Sequence, residues 1–322
     1  MRNASVERMA EAERQTLAEL GELGVLARIF PRLPKADATL LGPGDDAAVL
    51  AAPDGRYVVT TDMLIHGPDF RWEFSAPDDL GWKAAATNLS DVAAMGARPT
   101  ALVVAIAAPQ STPVSVLEGV AEGLRSACAE LAPGCGVVGG DLSTSDVFTI
   151  AVTAFGDLEG RRAVRRSGAR PGDVVAVAGE LGVAARGLRL LFERGREGGL
   201  RADAHAVGRQ LRPMPPIGLG TVAADAGATA MMDVSDGLVL DARRLARASA
   251  VDLEFDGLTD DEAHGGEDHA LLAAFPPDVA LPDGFRRIGL VVPGAGRVLV
   301  GGAPVDELGG WDPYEQWDGR LS

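Results

Sequence analysis

Short apolar runs rich in β-branched residues alternate with helix-length segments along almost all of the 322-residue chain. That alternation admits few architectures other than mixed α/β layers. YVVTTDML from Tyr57 reads as a strand, as do AAVLAA from Ala47, ALVVAIA from Ala101, GVVGG from Gly136 and FTIAVTAF from Phe148. Between them, Pro77-Asp78-Asp79 opens a helix predicted to reach Ala94 before Gly96 stops it, and a second helix covers 114–131. Residues 7–30 carry leucines at helical spacing, with a turn near Gly21. The pattern resumes with strand DVVAVAG from Asp173 and helices at 182–195, 203–211 and 216–226. A strand ending at Met232, a turn at SDGL, a helix over 238–249 and strands VDLEF, RRIGLVVP and RVLVGG complete it.

A chain this long suggests two domains. The segment RRAVRRSGARPGD from Arg161 is basic, poor in apolar residues and punctuated by Gly and Pro. We therefore divide the chain into 1–158 and 159–322.

Charge narrows the function. A formal net charge of -16 leaves no basic surface for a nucleic acid. No apolar run approaches the length of a membrane span, and the Glu- and Arg-rich N-terminus has no apolar signal core. Cys128 and Cys135 are too few for a disulfide scaffold and match no zinc spacing. These features lead us to expect a cytoplasmic protein.

Five motifs carry oxygen ligands: Gly42-Pro43-Gly44-Asp45-Asp46, Thr60-Thr61-Asp62, Asn88-Leu89-Ser90-Asp91, Gly139-Gly140-Asp141 and Asp233-Val234-Ser235-Asp236-Gly237. Four of them are expected at strand ends or turns, where open α/β structures present ligand groups. Any one is explained as readily by turn chemistry or helix capping. Carboxylates brought together repel one another unless cations neutralise them. With no His/Cys cluster beside them, their hard oxygens select Mg²⁺ rather than zinc. The adjacent glycines let backbone N–H groups approach a polyphosphate. The set points to a metal-bridged nucleotide site, although the Walker A loop and the protein-kinase H-R-D and D-F-G motifs are absent from the sequence.

The motifs GDDAA, TTDMLIHG, GWKAAATNLSDVAAMGARP, GGDLS, RSGARPGD, DVSDGL and GGEDHALL, in that order, resemble those of thiamine-monophosphate kinases, members of the aminoimidazole ribonucleotide synthetase superfamily. The resemblance runs from about Gly21 to Tyr314. It implies an N-terminal ATP- and Mg-binding domain whose strands pair across a homodimer, and a C-terminal α/β domain beside it. It implies transfer of the ATP γ-phosphoryl to thiamine monophosphate on several Mg²⁺ ions. Asp46, Thr60, Thr61, Asp62, Asp91, Asp141, Asp233 and Asp236 would hold metal, directly or through water. Gly140, Asp141, Arg166 and Ser235 would contact ATP, and Asp69, Glu267 and Tyr314 would contact the acceptor. Arginine suits a phosphate because its planar fork binds two oxygens at once. The accepting atom is already a phosphate oxygen, so no general base is assigned.

The sequence departs from the family pattern on the acceptor side. Asp69 stands where relatives carry His, with His66 as a loop histidine three residues earlier. His269 and Ala270 replace a Tyr and a Glu in the Gly265-Gly266-Glu267-Asp268 stretch, and the 256–264 segment is short, as if a helix were missing. Trp311 and Tyr314 stand where relatives present aromatics to the thiamine rings. An enzyme of the same superfamily with another acceptor, and a non-catalytic nucleotide sensor, are the alternatives these departures raise.

Overall fold

The structure, a computed structural model, describes residues 15–41 and 48–305. Helix α1 (Leu17–Ile29) starts on a capping box, with Glu19 N–H donating to Thr16 Oγ1 at 3.3 Å and Thr16 N–H donating to Glu19 Oε2 at 2.9 Å. Gly21, at φ 69°, kinks it where the turn is expected. Strands β1 (Thr39–Leu41) and β2 (Val49–Leu50) form a small antiparallel ribbon.

Four strands make the first main sheet: β3 (Val58–Ile65), β4 (Arg98–Ala108), β5 (Gly136–Thr144) and β6 (Thr149–Asp157). Their order is β3-β6-β4-β5, which leaves β3 and β5 at the edges. Helices α2 (Pro77–Ala94) and α3 (Val114–Leu131) cross closely. A side chain on Gly81 would collide with Val120 O, and one on Gly123 with Asp78 O, so glycine permits the backbones to approach.

The second sheet is mixed, with seven strands ordered β13-β12-β9-β11-β7-β10-β8. They are β7 (Val174–Ala178), β8 (Ala230–Val234), β9 (Asp252–Phe255), β10 (Ala270–Phe275), β11 (Phe285–Val292), β12 (Val298–Val300) and β13 (Ala303–Pro304). Its helices are α4 (Val183–Ala202), α5 (Ala204–Leu211), α6 (Ile217–Asp225), α7 (Leu238–Ser249) and α8 (Asp260–His264). The helix expected over 182–195 runs on to Ala202 past a break at Gly195 (φ 64°). The 256–264 segment does contain a helix, the short α8, capped by Thr259. Strand β10 escaped the sequence reading because ALLAAF is buried at every position and has no period-2 signature.

One core lies among α2, α3 and the first sheet, and takes in Leu89, Val92, Leu102, Val104, Ile150 and Val152. A second lies under α7 and the second sheet, around Val234, Leu245, Phe255 and Leu272. Helix α2 is buried almost all round because both halves of the chain cover it; alanines, Leu80, Leu89 and Val92 fill the cores, while its buried polar residues Asp79, Lys83 and Asn88 are paired or hydrogen-bonded. Its contacts reach the first sheet, α6, β8 and β10. Two motif corrections follow. Thr60-Thr61-Asp62 and Gly139-Gly140-Asp141 lie inside β3 and β5 rather than at strand ends. Among the described residues, no helix is long and apolar enough to cross a membrane.

Candidate active site

Strand alternation sends Thr60 and Asp62 toward α2 and Thr61 to the opposite face. Thr60 Oγ1 donates to Asp91 Oδ2 at 2.7 Å. Asn88 Oδ1 accepts the Asp62 amide at 3.1 Å, while its Nδ2 donates to Ala84 O at 3.0 Å. Buried Asn88 therefore fastens the edge strand to the helix and sets Asp62 beside Asp91.

The second half meets them from β8. Asp233 is buried near the end of that strand, and Ser235-Asp236-Gly237 turns the chain into α7. Asp241 Oδ2 accepts the Asp236 amide at 2.9 Å, and Arg244 Nη1 donates to Asp236 Oδ2 at 2.6 Å. The 265–269 loop folds back over this turn. Glu267 N–H donates to Ser235 O at 2.7 Å and His269 N–H to Val234 O at 3.0 Å. Both residues hold left-handed backbone, at φ 69° and 53°, which costs a side-chain-bearing residue about 1 kcal/mol or more. Asp268 accepts from the Gly182 and Ala184 amides at 2.6 and 2.8 Å, anchoring the loop to the start of α4.

Crowding of like charge dominates the electrostatics. Burial, then Asp233 and Asp62, push the Asp91 carboxyl up to about 7 despite the Thr60 hydrogen bond. Burial raises Asp62 as well, reinforced by Asp233 and Asp236 and opposed by His269. His269 Nδ1 lies 3.2 Å from Asp233 Oδ2. Burial disfavours the imidazolium, but the Asp233 contact and the charge of Glu267 outweigh it and hold His269 above the ordinary histidine range.

This donor set suits a hard divalent cation. All candidate ligands are oxygens, and their repulsion is the kind a cation relieves. Among the described residues, no three His, Cys, Asp or Glu side chains converge on one ion position. Mg²⁺ ordinarily takes one or two carboxylates and completes its shell with water and phosphate oxygens, which such an arrangement permits.

Beside the carboxylates opens a cavity of about 350 Å³. Phe70, Phe74 and Phe192 contribute apolar wall, and its polar lining includes Asp69, Arg71, Ser75, Lys83, Gln210 and Glu267. Lys83 Nζ pairs with Glu267 Oε2, and Gln210 Nε2 donates to the same oxygen at 2.6 Å. Burial opposes the Glu267 carboxylate, yet Lys83 and Gln210 keep it below its usual range. Asp69 Oδ2 accepts the Ile65 amide at 2.8 Å, so part of this carboxylate holds its own turn. His66 is half-buried against Phe70 and Trp72 rather than free in a loop. Ala270 is buried in the second core.

Several sequence-predicted site residues do not join this group within one chain. Residues opposite one another across a sheet share a face. Asp62, Val152, Val104 and Gly140 form one row across the sheet, and Met63, Ala151, Ala105 and Asp141 form the next. Gly140 is thus about 14 Å from Asp62, three strand spacings away. Asp141 points to the face opposite Asp62, as Thr61 does. Thr61 Oγ1 donates to Val152 O at 3.0 Å and accepts from Thr153 Oγ1 at 3.1 Å. Arg166 is exposed, and its carbonyl accepts from Ser249 Oγ at the far end of α7 from Asp236, a helix about 18 Å long. Asp46, Trp311 and Tyr314 lie outside the described residues. Conversely, sequence reasoning missed Lys83 and Gln210 as partners of Glu267. Lys83 had one signal, being one of only two lysines in the chain; Gln210 had none.

Residues 44–158 match the family profile "AIR synthase related protein, N-terminal domain". Thiamine-monophosphate kinase of Mycobacterium tuberculosis is 42% identical over 96% of this chain and 96% of its own length. That of Corynebacterium glutamicum is 39% identical over 86% and 87%. Among solved structures, the thiamine-monophosphate kinase of Stenotrophomonas maltophilia K279a superposes with a TM-score of 0.74 at 33% identity, covering 87% of this chain and 95% of that one. AaThiL complexed with AMPPCP and TMP gives 0.72 at 32% identity, covering 92% and 98%. With this similarity extending over nearly its full length and over both halves of the site, the chain belongs to the thiamine-monophosphate kinase family.

Proposed function

We infer that the chain catalyses ATP-dependent phosphorylation of thiamine monophosphate to thiamine diphosphate. The observation that carries this reading is the placement of the Asp62, Asp91 and Asp233 carboxylates beside a cavity walled by aromatics and lined by Glu267 and Asp69. A relative of the same fold has been solved with AMPPCP and TMP. In the transfer, a terminal phosphate oxygen of the acceptor bonds to the γ-phosphorus as the bond to the β–γ bridging oxygen breaks, leaving ADP. The nucleophile is already an anion, so the chain's task is alignment and charge neutralisation. Bound Mg²⁺ would neutralise phosphate charge at Asp62, Asp91, Asp233 and Asp236, with Asp46 and the Thr60 hydroxyl as further candidate ligands. Glu267 and Asp69 face the acceptor, and Ser235 stands by the nucleotide at the turn into α7. Tyr314 is an acceptor contact on the strength of its motif alone.

The same reading includes a homodimer. The first sheet has α2 on one face, while its other face exposes Val59 (59%) and Met63 (54%) together with Thr61 and Asp141. Two-fold pairing on that face would cover the apolar residues and bring Thr61 and Asp141 into the interface. The metal and phosphate roles of Asp141, Gly140 and Arg166 then require the second copy. The two cores support 1–158 as the ATP-, Mg- and dimer-forming domain and 159–322 as its partner. The reaction's substrates favour a cytoplasmic setting.

The test is ADP release measured in parallel with thiamine phosphate, with thiamine and with no acceptor, each with and without excess chelator. Turnover with thiamine phosphate alone, abolished by chelator, is expected. ADP release at the acceptor-free rate in all three would remove the kinase reading.

A further inference from the structure

Donors and acceptors both line the cavity, Arg71 and Lys83 among the first and Asp69 and Glu267 among the second, and the acceptor oxygens left without a donor are informative about the ligand. Lys83 and Gln210 both donate to Glu267 Oε2, which leaves Glu267 Oε1 with no donor among the described residues. Only the NH₂ end of an amide can donate to a carboxylate, so this contact fixes which end of Gln210 is which. The other end, Oε1, is buried without a hydrogen-bond partner, in a side chain only 5% exposed. A buried carbonyl with no donor is uncommon in folded proteins and costly. Gln210 also lines the cavity, at the end of α5. The last torsion of a glutamine is softly restrained, so a small rotation tips Oε1 into the cavity while Nε2 stays on Glu267. Two neighbouring acceptor oxygens then face a space with aromatic walls.

We propose that Gln210 is a specificity-determining residue for the acceptor, its Oε1 and Glu267 Oε1 together receiving the two N–H bonds of an amino group on a flat heterocycle. This rests on the acceptor reading given above. The aminopyrimidine ring of thiamine phosphate carries such a group. Phe74 and Phe192, ring centroids 5.2 Å apart at 82°, and Phe70 supply apolar wall for the ring. Lys83 pairs with Glu267 Oε2 and so leaves Oε1 for the amino group. A site built to accept two N–H bonds rejects an analogue that lacks them more strongly than apolar contact alone allows.

The experiment compares thiamine phosphate with oxythiamine phosphate, whose ring carbonyl replaces the amino group, in the wild type and in Gln210→Met. Steady-state kinetics and calorimetric binding are run on each pair. The wild type is expected to favour the amino compound at least about 100-fold in kcat/KM. In Gln210→Met that preference should fall about tenfold, through the KM for the acceptor, with the KM for ATP unchanged. A wild type that uses both compounds equally overturns the proposal without recourse to a variant. So does a Gln210→Met protein that loses activity on both compounds by the same factor, because a purely structural role would do that. If the wild type releases no ADP with thiamine phosphate, the kinase reading fails on its own. Binding then decides Gln210: amino-selective binding weakened in Gln210→Met supports the proposal, and unselective or absent binding overturns it.

Discussion

Asp91→Asn should make the metal-free protein more stable while destroying its response to Mg–ATP. Asparagine keeps the shape of the side chain and can still accept the Thr60 hydroxyl bond, which is 2.7 Å long in the native protein. What it removes is a charge held among Asp233 and Asp62, the pair that, with burial, pushes the Asp91 carboxyl from 3.8 up to about 7. The sign runs against that of a salt-bridged carboxylate. Below pH 4 the group is protonated in folded and unfolded chains alike. Between about 4 and 7 the unfolded chain releases the proton while the folded protein holds it, so stability falls as pH rises and levels off above 7. A displacement of about three units corresponds to roughly 4 kcal/mol, and partial solvent access at this half-buried site brings the expected cost to about 2 kcal/mol. In chelator at pH 8 the Asn variant should therefore melt about 3 °C above wild type, at roughly 1.5 °C per kcal/mol for a chain of 322 residues. At pH 3 the two should nearly coincide. Addition of Mg–ATP should then raise the Tm of wild type well beyond that of the variant. Differential scanning calorimetry in both conditions checks it. A variant that melts at or below wild type in chelator at pH 8, or that gains as much from Mg–ATP, would refute the charge-crowding argument.

Asp79 behaves in the opposite sense. Burial opposes its charge, but Arg212 at 2.6 Å, the Ala76 amide and Arg196 at 2.7 Å more than compensate and hold its carboxyl below the ordinary range. Its stabilisation is full above the unfolded pKa and lost as pH falls through the folded one. Asp79→Asn, which removes the carboxylate that Arg196 and Arg212 share where α2 meets the second half and leaves Arg212 only Asp78, should cost about 1–3 kcal/mol at pH 7 and less at pH 3, read by urea unfolding. Gly81→Ala forces a methyl onto Val120 O at the α2–α3 crossing and should cost about 1–3 kcal/mol or prevent folding; a Tm equal to wild type would mean that the helices separate freely. If the proposed dimer forms on the exposed face of the first sheet, wild type should be a dimer by light scattering and Met63→Glu a monomer with ATP turnover lost. A Met63→Glu variant that is still dimeric would move the proposed interface elsewhere, and a monomeric wild type would remove it.

Local patterns in the sequence determined the alternation of strands and helices, the capped start and glycine stop of α2, and the presence of five oxygen-rich motifs. These are short-range signals, set by side-chain period, turn chemistry and charge. They could not tell that TTD and GGD sit inside strands. At a period of two, adjacent residues of such a motif face opposite ways, so Asp62 joins Asp91 while Thr61 and Asp141 turn to the uncovered face. Nor could they reveal β10, whose burial on both faces erases alternation, or the short helix α8. Only the packing of α2 between the two halves decided that Asp233 lies beside Asp62 and Asp91, residues more than 140 positions apart. Only the folding of α5 against the 265–269 loop turned an unremarked glutamine into a partner of Glu267. Such partners are set by which faces the sheet order and helix crossings bring together, and that information is distributed over the whole chain rather than written near either residue.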